Sequence, residues 1–217
     1  MRLKIIPSLI ALLSLIGLAT KVRADNFIQV SQFRPADTTE PAYREDGGSR
    51  ALTVVEGGSG LIALTPVTGG VTVAEYPTLL VLSVSRSDDA IETVMGLKDD
   101  ADNVVYETTI QLPTEDSIIA INLKQDEDSV PLETNKTYRW YIYSGFYYTE
   151  VPITRTNLDS EFAQTLEQAN LQERFNLYKK QGIWYEALHT LFELRRAKPN
   201  DQTLIQEWQE LLQFVGL

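Results

Sequence analysis

Two rhythms of apolar positions divide the chain, and they change over near Pro152. Between Ala51 and about Ile153, short β-branched or aromatic runs recur between glycine and acidic turns, the pattern of β-strands. The runs are Ala51–Val55, Leu61–Thr65, Val71–Ala74, Thr78–Ser85, Ile91–Leu97, Val104–Leu112, Ile118–Lys124 and Thr137–Tyr143. Strict alternation places Val104, Tyr106, Thr108, Ile110 and Leu112 on one face of their run, with Glu107, Thr109 and Gln111 on the other. It likewise points Ile119, Ile121 and Leu123 inward, and sets Tyr138, Trp140 and Ile142 on one face. Thr78–Ser85 is almost continuously apolar, which predicts a central strand covered on both faces. So many short strands in about 100 residues predict an antiparallel sandwich of immunoglobulin or fibronectin type. Leu132, Asn135 and Tyr138, just before Trp140, have the spacing of a tyrosine corner, with Asn135 suited to a left-handed turn.

After Pro152 the period becomes that of a helix. Leu158, Phe162, Leu166 and Ala169 form one stripe, with Thr156 or Asp159 as N-cap. Leu171, Phe175 and Tyr178 form a second, ending at Gly182 as C-cap. Trp184, Ala187, Leu188 and Leu191 form a third. Past Pro199, a last helix opens on Asn200 or Asp201 and carries Leu204, Trp208, Leu211, Leu212 and Val215. The fold class is therefore α+β, a β-sandwich followed by a C-terminal helical segment. The expected divisions are 1–24, 25–50 (an extended lead-in, with a short strand at Phe27–Val30), 51–155 and 156–217.

The first 24 residues read as a secretory signal. Arg2 and Lys4 precede a 14-residue apolar stretch, Ile5 to Leu18, shorter than the ~20 residues a bilayer-spanning helix needs. Val22 and Ala24 fit a cleavage site after Ala24, and Gly17 and Ala19 fit one after Ala19. No membrane span is expected after cleavage, and no cysteine is present for lipid attachment. Cleavage after Ala24 removes four basic side chains and no acid, taking the net charge from −11 to about −15. So acidic a surface repels phosphate backbones, which excludes nucleic acid as a partner. A periplasmic or secreted address follows. The absence of cysteine rules out thiol catalysis and disulfides, so burial alone must hold the fold.

Candidate chemistry is sparse. The single histidine, His189, lies one position off its helical stripe, near Glu186 and Glu193, and reads as a solvated surface residue. Gly57-Gly58-Ser59-Gly60 opens like a nucleophile elbow, but Leu61 stands where the last glycine is required. The acidic runs Asp99-Asp100-Ala101-Asp102-Asn103 and Asp126-Glu127-Asp128 lack the glycine and spacing of a calcium loop, and read as solvated hairpin tips. Neither metal nor cofactor is expected, and no catalytic set is assigned. Asn135-Lys136-Thr137 matches a glycosylation sequon by pattern only and reads as the corner turn. The candidate contact residues are Tyr141, Tyr143 and Tyr147, in the run Trp140 to Tyr148, together with Arg44 and Arg50. With Trp140 inward, Tyr141 and Tyr143 face outward beside Arg139. The expectation is that the C-terminal helices cover them, since the helical stripes must pack somewhere. Left open, they would meet a protein partner or stack on a sugar ring. Arg44 and Arg50, around Gly47-Gly48, would hold an anion, and ordinary loop ion pairs are the expectation there. The functional expectation is a non-catalytic envelope protein used for protein contact or scaffolding, with a carbohydrate- or peptidoglycan-binding module as the alternative.

Two resemblances follow from longer stretches. Tyr178, Gly182-Ile183-Trp184-Tyr185-Glu186-Ala187, Leu191, Leu194 and Pro199 resemble a single tetratricopeptide unit, which needs packed neighbours to bury its face. From about residue 33 to 217 the chain resembles domain-of-unknown-function family 928, known mainly from cyanobacteria. The residues that carry this are Gly47-Gly48-Ser49-Arg50, Leu61-Ile62-Ala63-Leu64-Thr65-Pro66, Ala74-Glu75-Tyr76-Pro77-Thr78 and Val105-Tyr106-Glu107-Thr108-Thr109. Tyr138-Arg139-Trp140, Gly182 to Leu188, Leu194 to Pro199 and Val215-Gly216-Leu217 complete the set. The resemblance implies an exported bacterial protein with no established activity, so no catalytic residue is carried over. The resemblance is to a family many of whose members carry cysteines after the Gly-Gly-x-Arg and Tyr-Arg-Trp segments. This chain has none.

Overall fold

The computed structural model describes residues 28–29, 52–54, 60–66, 68–84, 91–124, 127, 129–144 and 147–217. Residues 1–24 (the expected signal), Arg44, Arg50, Gly57–Ser59, Asp126 and Asp128 lie outside the described residues.

Among the described residues, ten strands form two five-stranded sheets. The first has the order β1 (Ile28–Gln29), β8 (Ser117–Asn122), β5 (Thr78–Val84), β3 (Gly60–Ala63), β2 (Leu52–Val54). The second runs β4 (Gly70–Thr72), β10 (Tyr147–Arg155), β9 (Thr137–Ser144), β6 (Ile91–Lys98), β7 (Val104–Leu112). All pairings are antiparallel except β4 with β10. The chain thus pairs β3 with the first sheet and then crosses to the edge of the second, as an immunoglobulin-type first strand does.

The inner faces meet in one core. Leu61, Ala63, Leu79, Val81, Ile121 and Leu123 come from the first side, and Met95, Leu97, Tyr106, Trp140, Ile142, Val151 and Ile153 from the second. The tyrosine corner is formed: the Tyr138 hydroxyl accepts the Glu133 N–H at 3.2 Å, and Asn135 is left-handed at φ 58°. β10 is the strand missing from the sequence reading.

Four helices follow: α1 (Ser160–Gln168), α2 (Leu171–Gln181), α3 (Trp184–Ala197) and α4 (Gln202–Phe214). Asp159 caps α1 and Asp201 caps α4. Gly182 ends α2 in the left-handed conformation at φ 68°, where a side chain would be strained. The helical stripes close over the outer face of the first sheet. Leu64, Leu80 and Ile118 form one cluster with Phe175, Leu188, Leu191, Phe192, Leu204 and Trp208. β5 is therefore the middle of three layers, covered on both faces as its unbroken apolar run requires.

This corrects one expectation. The helices do not cover the aromatic strand β9, because the two-sided apolar strands β5 and β8 belong to the other sheet. The apolar stripes pack where they find apolar partners.

Candidate functional site

The side of the second sheet that faces away from the core is left open by the helices, and register arranges it in cross-strand rows. The first row is Glu107, Gly96, Tyr141, Glu150; the next is Thr109, Val94, Tyr143, Tyr148; Lys98, Arg139 and Pro152 make a third. Trp140 is fully buried, so alternation does turn Tyr141 and Tyr143 outward as the sequence requires.

Their settings differ. Tyr141 is only 5% exposed, with the hydroxyl end of its ring over Gly96. A Cβ at that glycine would stand 2.5 Å from the Tyr141 ring. The phenol donates to Glu107 at 2.5 Å, and the ring stacks on Tyr148 at 5.9 Å. Tyr143 and Tyr148, directly opposite each other on β9 and β10, are 48% and 46% exposed. They are the accessible aromatic pair. Tyr147 pairs with Ser144 at the end of the hairpin.

Charged groups fix the rim. Lys98 donates to the Tyr148 hydroxyl at 2.9 Å and pairs with Glu150 at 3.3 Å. Its ammonium also lies over the Tyr141 and Tyr148 rings, at 5.2 and 5.3 Å from their centroids. Arg139 bonds the other Glu150 oxygen at 2.8 Å and Asp102 at 2.6 Å. Glu150 also accepts from the Tyr148 hydroxyl. Burial, then the Glu107 carboxylate, pushes the Tyr141 phenol well above its ordinary range. Burial, then Glu150, raises Tyr148, against the pull of Lys98. Both phenols stay protonated, as hydrogen-bond donors rather than bases. The bond to Tyr148 holds Lys98 above its usual value, and Asp102 does the same for Arg139. Among these described residues of the rim, each hydroxyl and carboxylate named is engaged with a neighbour across the sheet.

The acidic Asp99–Asn103 tip turns its oxygens on itself. Asp99 accepts the N–H groups of Ala101 and Asn103, both at 2.9 Å, and Asp102 is taken by Arg139. His189 is half-exposed, 3.9 Å from Glu193, and burial lowers its pKa. Glu186, expected beside it, points the other way, into the junction with the sandwich.

That junction is built by three consecutive residues. Trp184 donates to the Leu64 carbonyl at 3.0 Å. Tyr185 enters the sandwich core, where its hydroxyl accepts from Trp140 at 3.1 Å and donates to the Pro152 carbonyl at 3.4 Å. One Glu186 oxygen accepts from Thr72 Oγ1 at 2.5 Å and from the N–H groups of Val73 and Ala74 at 3.1 and 3.0 Å. Its other oxygen is buried with no hydrogen-bond partner among the described residues. Burial raises the Glu186 pKa.

A family model described as Domain of Unknown Function (DUF928) matches residues 45–217. The chain belongs to the DUF928 family. The Trp-Tyr-Glu segment that carried the resemblance to DUF928 is thus the helix-to-sandwich junction. No curated protein matches the chain. Among solved structures, it is similar to a chain from a study of the computer-based redesign of a β-sandwich protein. The two are 18% identical, with a TM-score of 0.24, over 40% of this chain and 93% of that one.

Sequence reasoning missed Tyr148, Lys98, Glu150, Glu107 and Gly96 as parts of the site. The available signal was register: once Tyr141 and Tyr143 face outward, their neighbours on β6 and β10 do too.

Proposed function

We propose that this DUF928 protein is exported to the periplasm or beyond and acts there as a non-catalytic protein-interaction module. Its contact surface is the outer face of the second sheet, centred on Tyr143 and Tyr148. One observation carries this reading: two half-exposed tyrosines stand side by side on a rigid sheet, framed by Lys98, Arg139 and Glu150. Aromatic anchors with a charged rim are the usual make-up of a binding hot spot. The charged leader-like start, Arg2 to Ala24, supports export. Among the described residues, no helix is long and apolar enough to cross a membrane.

The test is co-purification from an envelope extract with the protein and with a Tyr143→Ala/Tyr148→Ala variant. The same set of partners from both would remove the reading. A pair of flat rings also suits a sugar, so peptidoglycan fragments serve as the second probe. Tyrosine-dependent binding to those fragments, with no protein retained, would replace a protein partner by a glycan.

A further inference from the structure

The charges on the open face of the second sheet do not balance. Among the described residues they are Glu92, Lys98, Glu107, Arg139 and Glu150, three acids and two bases. Both bases are already paired, Lys98 with Glu150, and Arg139 with Glu150 and Asp102. Glu107 is taken by the Tyr141 phenol. That leaves Glu92. It is exposed and, among the described residues, receives one hydrogen bond, from the Gln111 amide at 3.4 Å on one of its oxygens.

Glu92 stands beside the more accessible of the two tyrosines. Val94 lies directly opposite Tyr143, and Glu92 is two residues along β6 on the same side of the sheet. That diagonal step is about 7–8 Å, within reach of long side chains. Tyr143 is 48% exposed, and among the described residues no hydrogen bond or ring contact engages it.

The neighbouring row shows what such a pairing holds. Lys98 places its ammonium over the Tyr141 and Tyr148 rings and 3.3 Å from a Glu150 oxygen. Tyr143 and Glu92 offer the same two elements, a ring and a carboxylate, with no cation of the described residues between them.

Charge and shape then select the occupant. An acidic partner would find only bases that are already paired, and a second copy of this chain, at −11, brings mainly acids. A guanidinium meets both elements at once, lying flat on an aromatic ring while its fork of N–H groups binds a carboxylate. An ammonium has neither the flat face nor the fork.

We infer that the partner of the tyrosine face anchors there through an arginine side chain, stacked on Tyr143 and paired with Glu92. This rests on the protein-interaction reading and names the chemistry of the partner.

The test titrates the protein with acetyl-arginine amide, following the Tyr143 ring and the Val94 methyl groups by NMR. Saturating shifts in the millimolar range are expected, lost in Tyr143→Ala and kept in Tyr143→Phe. Acetyl-citrulline amide, of the same shape without the charge, should produce none. Glu92→Gln should weaken arginine binding about threefold or more, and added salt should weaken it in the native protein. No shift with arginine amide, an equal shift with citrulline amide, or no change in Glu92→Gln overturns the inference. So does N-acetylglucosamine moving these resonances where arginine amide does not. Envelope co-purification separates this failure from that of the proposed function. Partners lost from Tyr143→Ala/Tyr148→Ala but retained undiminished by Glu92→Lys overturn the arginine anchor and leave the interaction surface standing. Partners retained by every variant overturn both.

Discussion

At Gly96 the missing Cβ lets the Tyr141 ring cross β6 to Glu107, with the packing of the outer face built on that approach. Gly96→Ala should displace the ring and cost about 1–3 kcal/mol, read as a lower urea midpoint together with a more accessible Tyr141. At the junction, Glu186→Ala would leave Thr72 and two backbone N–H groups without their acceptor. A loss of about 2–4 kcal/mol is expected, larger than for Glu186→Gln, which keeps an acceptor oxygen. The same carboxyl gives a pH signature. Burial raises its folded-state pKa above the ordinary 4.5, so ionisation is harder in the folded than in the unfolded chain. Its contribution to stability is complete below about pH 4.5 and falls as pH rises to the folded-state value, then levels. Measured against Glu186→Gln, the native protein should lose ground across that window. A constant difference from pH 4 to 8 would contradict it.

At the scale of elements, most of the architecture was legible, because burial on one face or two writes itself into the sequence at period two. β7 has the bounds of its alternating run and alternates from Tyr106 to Leu112, but at the register shift opposite Leu97/Lys98 Val104 leaves the expected face and is 54% exposed. β5 showed its two-sided burial in Leu79, Leu80 and Val81. β10 was not legible. Pro152 interrupts it just before the β4 ladder begins at Ile153, and Thr149, buried on the inner face, reads as polar. Without β10, neither Tyr148 nor Glu150 could be placed beside Tyr143 and Tyr141, and the site stayed incomplete. The placement of the helices was hidden for a different reason: an apolar stripe declares that it will be buried, not against which sheet. Tyr185 sat between stripe positions and gave no sign that it would enter the sandwich core. Tyr185→Phe tests that anchor. It removes the hydroxyl that Trp140 and Pro152 share and should cost about 1–2 kcal/mol, seen in thermal unfolding, with the helical content at low temperature unchanged.

For the whole molecule, sandwich and helices share buried surface through Leu64, Leu80, Ile118 and Tyr185. Removing residues 156–217 would expose Leu64, Leu80 and Ile118 at roughly 1.5–3 kcal/mol each and take Tyr185 out of the sandwich core. Such a fragment should aggregate or lack a cooperative transition; a monomeric fragment unfolding cooperatively would show the sandwich to be self-sufficient. Sealing the first sheet with helices is also what leaves the second sheet open, and the proposed function depends on that division. The most direct measurement places a photocrosslinking amino acid at Tyr143 and, separately, at exposed Gln209 on α4, in cells that make the protein. The account predicts a discrete adduct from position 143 that disappears with Tyr148→Ala, and none from position 209. Adducts from 209 alone, or equal yields from both positions, would contradict it.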